Sequence, residues 1–102
     1  MLIADLEGQT LVAPDRLVSE TRLSFRSAAL SHLERIAQRQ ATRLLVDLQN
    51  TKDIDASGLG VLVLLQKRAR EKMIATKLVH VPVALKRMLE LTRLAHLFEI
   101  ED

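Results

Sequence analysis

The run Leu44-Leu45-Val46-Asp47-Leu48 limits what this chain can become. It is apolar apart from one acid near its end, and it has the length and polar bounds of a buried strand. A strand of this kind belongs to a parallel sheet and needs helical crossovers on either side. Downstream, Gln49 to Asp55 is polar and reads as a loop. Ser57 then opens a helix running to Lys72. Its first half, Leu59 to Leu65, is apolar nearly all round. Its second half, Gln66-Lys67-Arg68-Ala69-Arg70-Glu71-Lys72, is an exposed helical run. Val61 to Leu65 alone would suit a strand, but the unbroken helix formers after it decide for helix. Thr76 to Val81 alternates as a strand. Pro82 suits the first position of a helix, whose apolar face is Leu85, Met88 and Leu89.

Upstream, Leu2 to Leu6 alternates loosely and stops at Glu7-Gly8, and Thr10-Leu11-Val12-Ala13 stops at Pro14-Asp15. The pair reads as a short β-hairpin. A helix follows from Arg22 to Gln40, with Ser19 and Thr21 as cap candidates and Ala29, Leu30, Leu33, Ile36 and Ala37 on its apolar face. Leu94, Leu97, Phe98 and Ile100 form a closing cluster, a short helix or an edge strand. The order is ββαβαβα. It predicts one α/β domain over residues 1–102, with a mixed sheet of about four strands and the helices on one face. The expected core is Leu33, Ile36, Val46, Leu48, Leu62, Leu65, Leu78, Val79, Leu85 and Leu89.

Composition removes several function classes. The chain has 102 residues and no cysteine, so it has no disulfide framework and no cysteine nucleophile. No apolar run approaches the ~20 residues of a membrane span, and Met1-Leu2-Ile3-Ala4-Asp5 lacks a signal-peptide layout. These features predict a cytoplasmic domain. Phe25 and Phe98 are the only aromatics, which argues against stacking platforms for single strands. Residues 66–93 carry eight Lys or Arg against Glu71 and Glu90. Solvated helix faces explain that stretch, and no direct DNA binding is expected.

Chemistry, if any, belongs to Asp53-Ile54-Asp55-Ala56-Ser57-Gly58-Leu59-Gly60, which joins a strand to a helix at the sheet edge where α/β sites gather. The stretch is not a phosphate-binding Walker loop, because no Gly-Lys-Ser/Thr follows. It is not a dinucleotide fingerprint, because a third glycine is missing. It is not a nucleophile elbow, because Asp55 stands where that motif needs glycine. His32, His80 and His96 show no ligand spacing, although His80 falls at a strand end. Asp47, Asp53 and Asp55 lack an accompanying phosphate loop. Neither a metal, a cofactor nor a catalytic pair is expected. Ser57 remains, as an N-cap or as a regulated contact. Two glycines in a first helical turn imply that something approaches this backbone closely. Leu59 and Val63, one turn apart, are expected to face a partner in part.

Leu45-Val46-Asp47-Leu48 followed by Ile54-Asp55-Ala56-Ser57-Gly58-Leu59-Gly60-Val61-Leu62 resembles the STAS domain family, which includes anti-sigma factor antagonists and domains of sulfate transporters. The usual family string there is Asp-Ser-Ser-Gly-Leu-Gly, with the second serine phosphorylated. Ala56 replaces the first serine, and Ser57 matches the phosphoacceptor. Leu78-Val79 and the helix from Val83 to Leu94, closed by Leu97 and Phe98, continue the resemblance. Pro14-Asp15-Arg16-Leu17 departs from the family's glycine-plus-acid turn. The resemblance implies an anti-sigma factor antagonist, a non-enzyme that switches partners in bacterial transcription control. Its partners would be an anti-sigma factor serine kinase and a phosphatase, and the family allows a homodimer. Asp55, Ser57, Gly58, Leu59 and Val63 would meet the partner. The alternative it implies is a scaffold or accessory subunit of a lipid-transport ABC system or a stressosome-like assembly.

Overall fold

The computed structural model describes residues 9–101. Along them run β1 (Thr10–Val12), β2 (Arg16–Leu17), a 3-10 turn (Ser19–Thr21), α1 (Arg22–Gln38), β3 (Arg43–Asp47), β4 (Asp53–Ile54) and α2 (Ala56–Glu71). Then come β5 (Ala75–Val79), α3 (Val83–Leu91), a second 3-10 turn (Ala95–Leu97) and β6 (Glu99–Glu101). Four strands form one sheet in the order β1-β3-β5-β6, and every pairing in it is parallel. The order advances in one direction only. Right-handed crossovers therefore lay all three helices on one face.

Burial along the strands agrees with that layering. Leu44 and Val46 of β3 and Thr76 and Leu78 of β5 are buried, whereas Leu45, Asp47, Lys77 and Val79 between them are only half-buried. Against the buried face lie Phe25, Ala29, Leu33 and Ile36 of α1, Leu59, Leu62, Leu65 and Ala69 of α2, and Leu85 and Leu89 of α3. The expected core is found buried except for Val79, which the strand pleat turns to the opposite face from Leu78. On that opposite face Lys77 pairs with Glu101 at 2.6 Å and Arg43 with Glu99 at 3.3 Å.

Several boundaries differ from the sequence reading. Thr10–Val12 is a strand, but it pairs in parallel with Leu45–Asp47. Its expected hairpin partner, Leu2–Leu6, lies outside the described residues, and among the described strands the sheet is parallel where a mixed one was expected. The stretches read as plain loops contain β2 and β4, which pair with each other (Arg16 with Asp53, Leu17 with Ile54). Thr51, read as a loop residue, is buried because its hydroxyl donates to the Pro14 carbonyl at 2.8 Å. The closing cluster is both a 3-10 turn and an edge strand.

The three helices stop in the same way without glycine. Gln40, Met73 and Arg93 adopt φ of 61°, 63° and 57° just past α1, α2 and α3. The amides of Ala41, Ile74 and Leu94 reach back to the carbonyls of Ile36, Ala69 and Leu89, at 3.1, 2.9 and 2.9 Å. Each is a Schellman ending with an apolar residue after the left-handed one. A side chain in that conformation costs energy that glycine avoids. Met73 is 86% exposed, so its side chain offers little packing in return. Met73→Gly is expected to raise stability by about 0.5–1 kcal/mol, read from the urea midpoint. Met73→Ala should give no such gain, and equal values for the two variants would refute this account.

Candidate functional site

The start of α2 is fastened to the segment before α1 by one carboxylate. Asp55 is the N-cap of α2, in extended conformation, and its Oδ1 accepts the Gly58 N–H at 3.0 Å. Its Oδ2 accepts the Ser19 N–H, also at 3.0 Å. The Asp55 amide in turn donates to the Leu17 carbonyl at 3.3 Å. The Gly58 N–H, foremost, and the Ser19 and Ser57 amides hold the Asp55 carboxyl below its ordinary range, against some desolvation that works the other way.

Gly58 is dictated by the same junction. A Cβ there would lie 2.0 Å from the Leu17 carbonyl oxygen. The close approach inferred from the glycines is therefore made at Gly58 by the chain's own β2. Gly60 differs, since a Cβ there would meet nothing within 4 Å.

Ser57 lies at the second helical position, so it is not the cap that the sequence offered as one reading. Asp55 wins that role because its carboxylate can take two amides at once, one from each segment. The Ser57 hydroxyl makes no hydrogen bond to another described residue. Half-buried, the serine lines a groove of about 390 Å³ between α1 and α2, together with Arg22, Leu23, Arg26, Gly60, Val61 and Leu64.

The structure brings Asp55, Ser57 and Gly58 into one turn but turns Leu59 inward. Leu59 is 6% exposed, in the core. It stands three residues before Leu62 and so extends the same buried stripe, which corrects the expectation of a partner-facing side chain. Val63 is half-buried, packed against the core. The residues missed from sequence are Arg22, Leu23 and Arg26. Their signal was two arginines one turn apart at the head of a helix.

The three carboxylates weighed as metal ligands go to separate partners. Asp47 accepts the Gln49 amide at 2.9 Å and faces His80 Nδ1 at 2.9 Å. Burial works to raise its carboxyl pKa, but the Gln49 amide and His80 outweigh burial and hold it below the ordinary value. Asp53 pairs with Arg16 at 3.6 Å, and Asp55 is the cap. Among the described residues no group of three His, Cys, Asp or Glu could hold a metal ion.

A family model described as Mlab, STAS domain matches residues 5–99. The chain is a STAS domain. Solved STAS-like structures agree in fold. A crystal structure of a Thermotoga maritima protein, provisionally described as an anti-sigma factor antagonist, superposes with a TM-score of 0.77 at 22% identity. That match covers 92% of this chain and 80% of the other. An NMR structure of the same protein gives 0.73 at 22% identity, covering 91% and 72%. No curated protein matches the chain. No helix among the described residues of this STAS domain is long and apolar enough to cross a membrane.

Two sets of variants check the junction. Gly58→Ala should cost about 3 kcal/mol or more, because backbone must move to admit the methyl group. Gly60→Ala should gain up to about 1 kcal/mol from helix propensity. Equal melting temperatures for the two would show that Leu17 does not press on Gly58.

The second set concerns acid stability. The folded Asp55 pKa is depressed, so its contribution is present above the unfolded value of about 3.9 and is lost as pH falls through the folded value. Asp55→Asn keeps a capping oxygen and removes the proton site. Its stability should fall less steeply than that of the parent chain below about pH 4. Ser57→Ala should stay within about 0.5 kcal/mol of the parent at all pH values. A steeper acid limb in the Asn variant, or a large loss in the Ala variant, would contradict these assignments.

Proposed function

We propose that this STAS domain is an anti-sigma factor antagonist-like regulatory protein of the cytoplasm, phosphorylated reversibly on Ser57 by an anti-sigma factor serine kinase. The supporting observation is the Ser57 hydroxyl, unengaged by any described residue and lining a groove between α1 and α2. Ser57 Oγ would take the γ-phosphoryl group of ATP, releasing ADP and the hydroxyl proton. A phosphatase would return serine and inorganic phosphate with one water. The domain itself performs no catalysis in this scheme.

The electrostatics support a switch in binding. A phosphoserine adds about −1.5 to −2 charges. At the second position of α2 the helix N-terminus favours it, while Asp55 and Asp53 oppose it. The core residues Leu59 and Leu62 face away from the groove's solvent side, so the fold can carry the modification. A desolvated partner seated over Ser57 cannot. The family match favours a second reading, because its model is described as Mlab. In that reading the domain is an accessory subunit of a lipid-transport ABC system and docks without modification.

The test is incubation with a candidate kinase and ATP, followed by mass spectrometry and a binding titration. The intact chain should gain one phosphate and Ser57→Ala none, while the alanine variant still binds. Ser57→Asp should bind more weakly, though less so than the phosphorylated form, since it carries one charge and two oxygens. Phosphate on another residue overturns the site. Equal affinity for all folded forms overturns the switch, and no phosphate from any candidate kinase transfers support to the transporter reading.

A further inference from the structure

Arg22 is the first residue of α1, where the helix macrodipole disfavours cations, and Arg26 follows one turn later. No acidic residue stands in that first turn. Neither takes part in an ion pair among the described residues, whereas Arg16, Arg43, Lys72 and Lys77 all do. Both are exposed, and their four-residue spacing puts them on one helix face. That face is a wall of the groove that holds Ser57. Gly60, beside them, leaves the space a Cβ would take empty. The nearby carboxylates are already committed: Asp55 to two amides, Glu20 and Asp53 to Arg16.

We propose that Arg22 and Arg26 form a receptor, within the same chain, for a phosphate carried on Ser57. It rests on the reading of Ser57 as a phosphoacceptor. The phosphoryl oxygens would take the two guanidinium groups across the groove as charge-assisted hydrogen bonds. This joins α1 to α2 and fills the groove that a partner would need. The modified state is then a closed surface and not merely a more acidic one.

The test needs no kinase. Phosphoserine is installed at position 57 during translation, and its second ionisation is followed by 31P NMR. Arg22 and Arg26 of α1 line the groove with Ser57, and the charged groups on the adjoining segments are Asp55 at the cap of α2, Asp53 of β4 and Glu20 of the 3-10 turn. The arginines and the N-terminus of α2 lower its pKa and the carboxylates raise it, so the change on removing the arginines is what discriminates. The value should lie about half a unit to one unit below the usual ~6. The double variant Arg22→Gln with Arg26→Gln should raise it by about half a unit or more. Its unphosphorylated form should melt with the parent, because both side chains are exposed.

A phosphoserine that titrates at ~6 or higher with both arginines present overturns the proposal. So does a double variant that leaves the value unmoved, or a phosphoprotein that does not fold. Failure to find a kinase would count against the functional reading and leave this measurement intact. A missing shift would count against the receptor and leave a kinase result intact.

Discussion

The architecture turns on the contact between Gly58 and the Leu17 carbonyl. At this point α2 lies so close to β2 that no side chain fits between them. The Asp55 carboxylate makes the approach stable by taking the Gly58 amide on one oxygen and the Ser19 amide on the other. Two amides that would otherwise be orphaned at helix and turn starts are satisfied by one acid. The position of α1 follows, because Ser19 begins the turn that leads into it. The groove between α1 and α2, and the place of Ser57 within it, are consequences of that clasp.

The sheet imposes a second constraint. Since its strands advance in a single direction, one face receives every helix and the other receives none of them. The face without helices carries charge pairs across strands, Lys77 to Glu101 and Arg43 to Glu99. At the edge, β6 has three residues, two of them glutamates engaged in those pairs. A short, charged edge is a poor template for a further strand.

Much of this was legible in the sequence because the apolar periods are clean. Leu44–Leu48, Thr76–Val81 and the helix face Ala29, Leu33 and Ile36 each match one template. Helix endings were harder to read. With glycine absent from all three stops, Gln40 and Lys72 looked helical, and only backbone geometry shows Gln40, Met73 and Arg93 turning left-handed. The cap of α2 was ambiguous for a different reason. Asp55 and Ser57 are both good caps two residues apart, and the choice depends on Ser19, 36 positions away. Leu59 was misplaced because α2 is apolar nearly all round in its first half, which hides the phase of its buried stripe. The arginine pair one turn apart could be seen in the sequence, but not its place beside α2, since no periodicity says which helix faces another.

The separation of Asp55 from Ser57 bears on how a modification could act. A serine that capped its own helix would couple any change on its oxygen to the stability of that helix. Here the capping load rests on a carboxylate two residues earlier, and the serine oxygen bears none of it. Gly58, between Ser57 and Leu59, fixes the turn against Leu17, so the backbone under the serine has little room to respond. A charge placed on Ser57 therefore cannot relax inward or unwind the first turn cheaply. It must be met from the groove side, by solvent, by a partner or by the arginines of α1. The junction thus isolates the folded core from the chemistry at Ser57 and directs the effect of that chemistry to the surface.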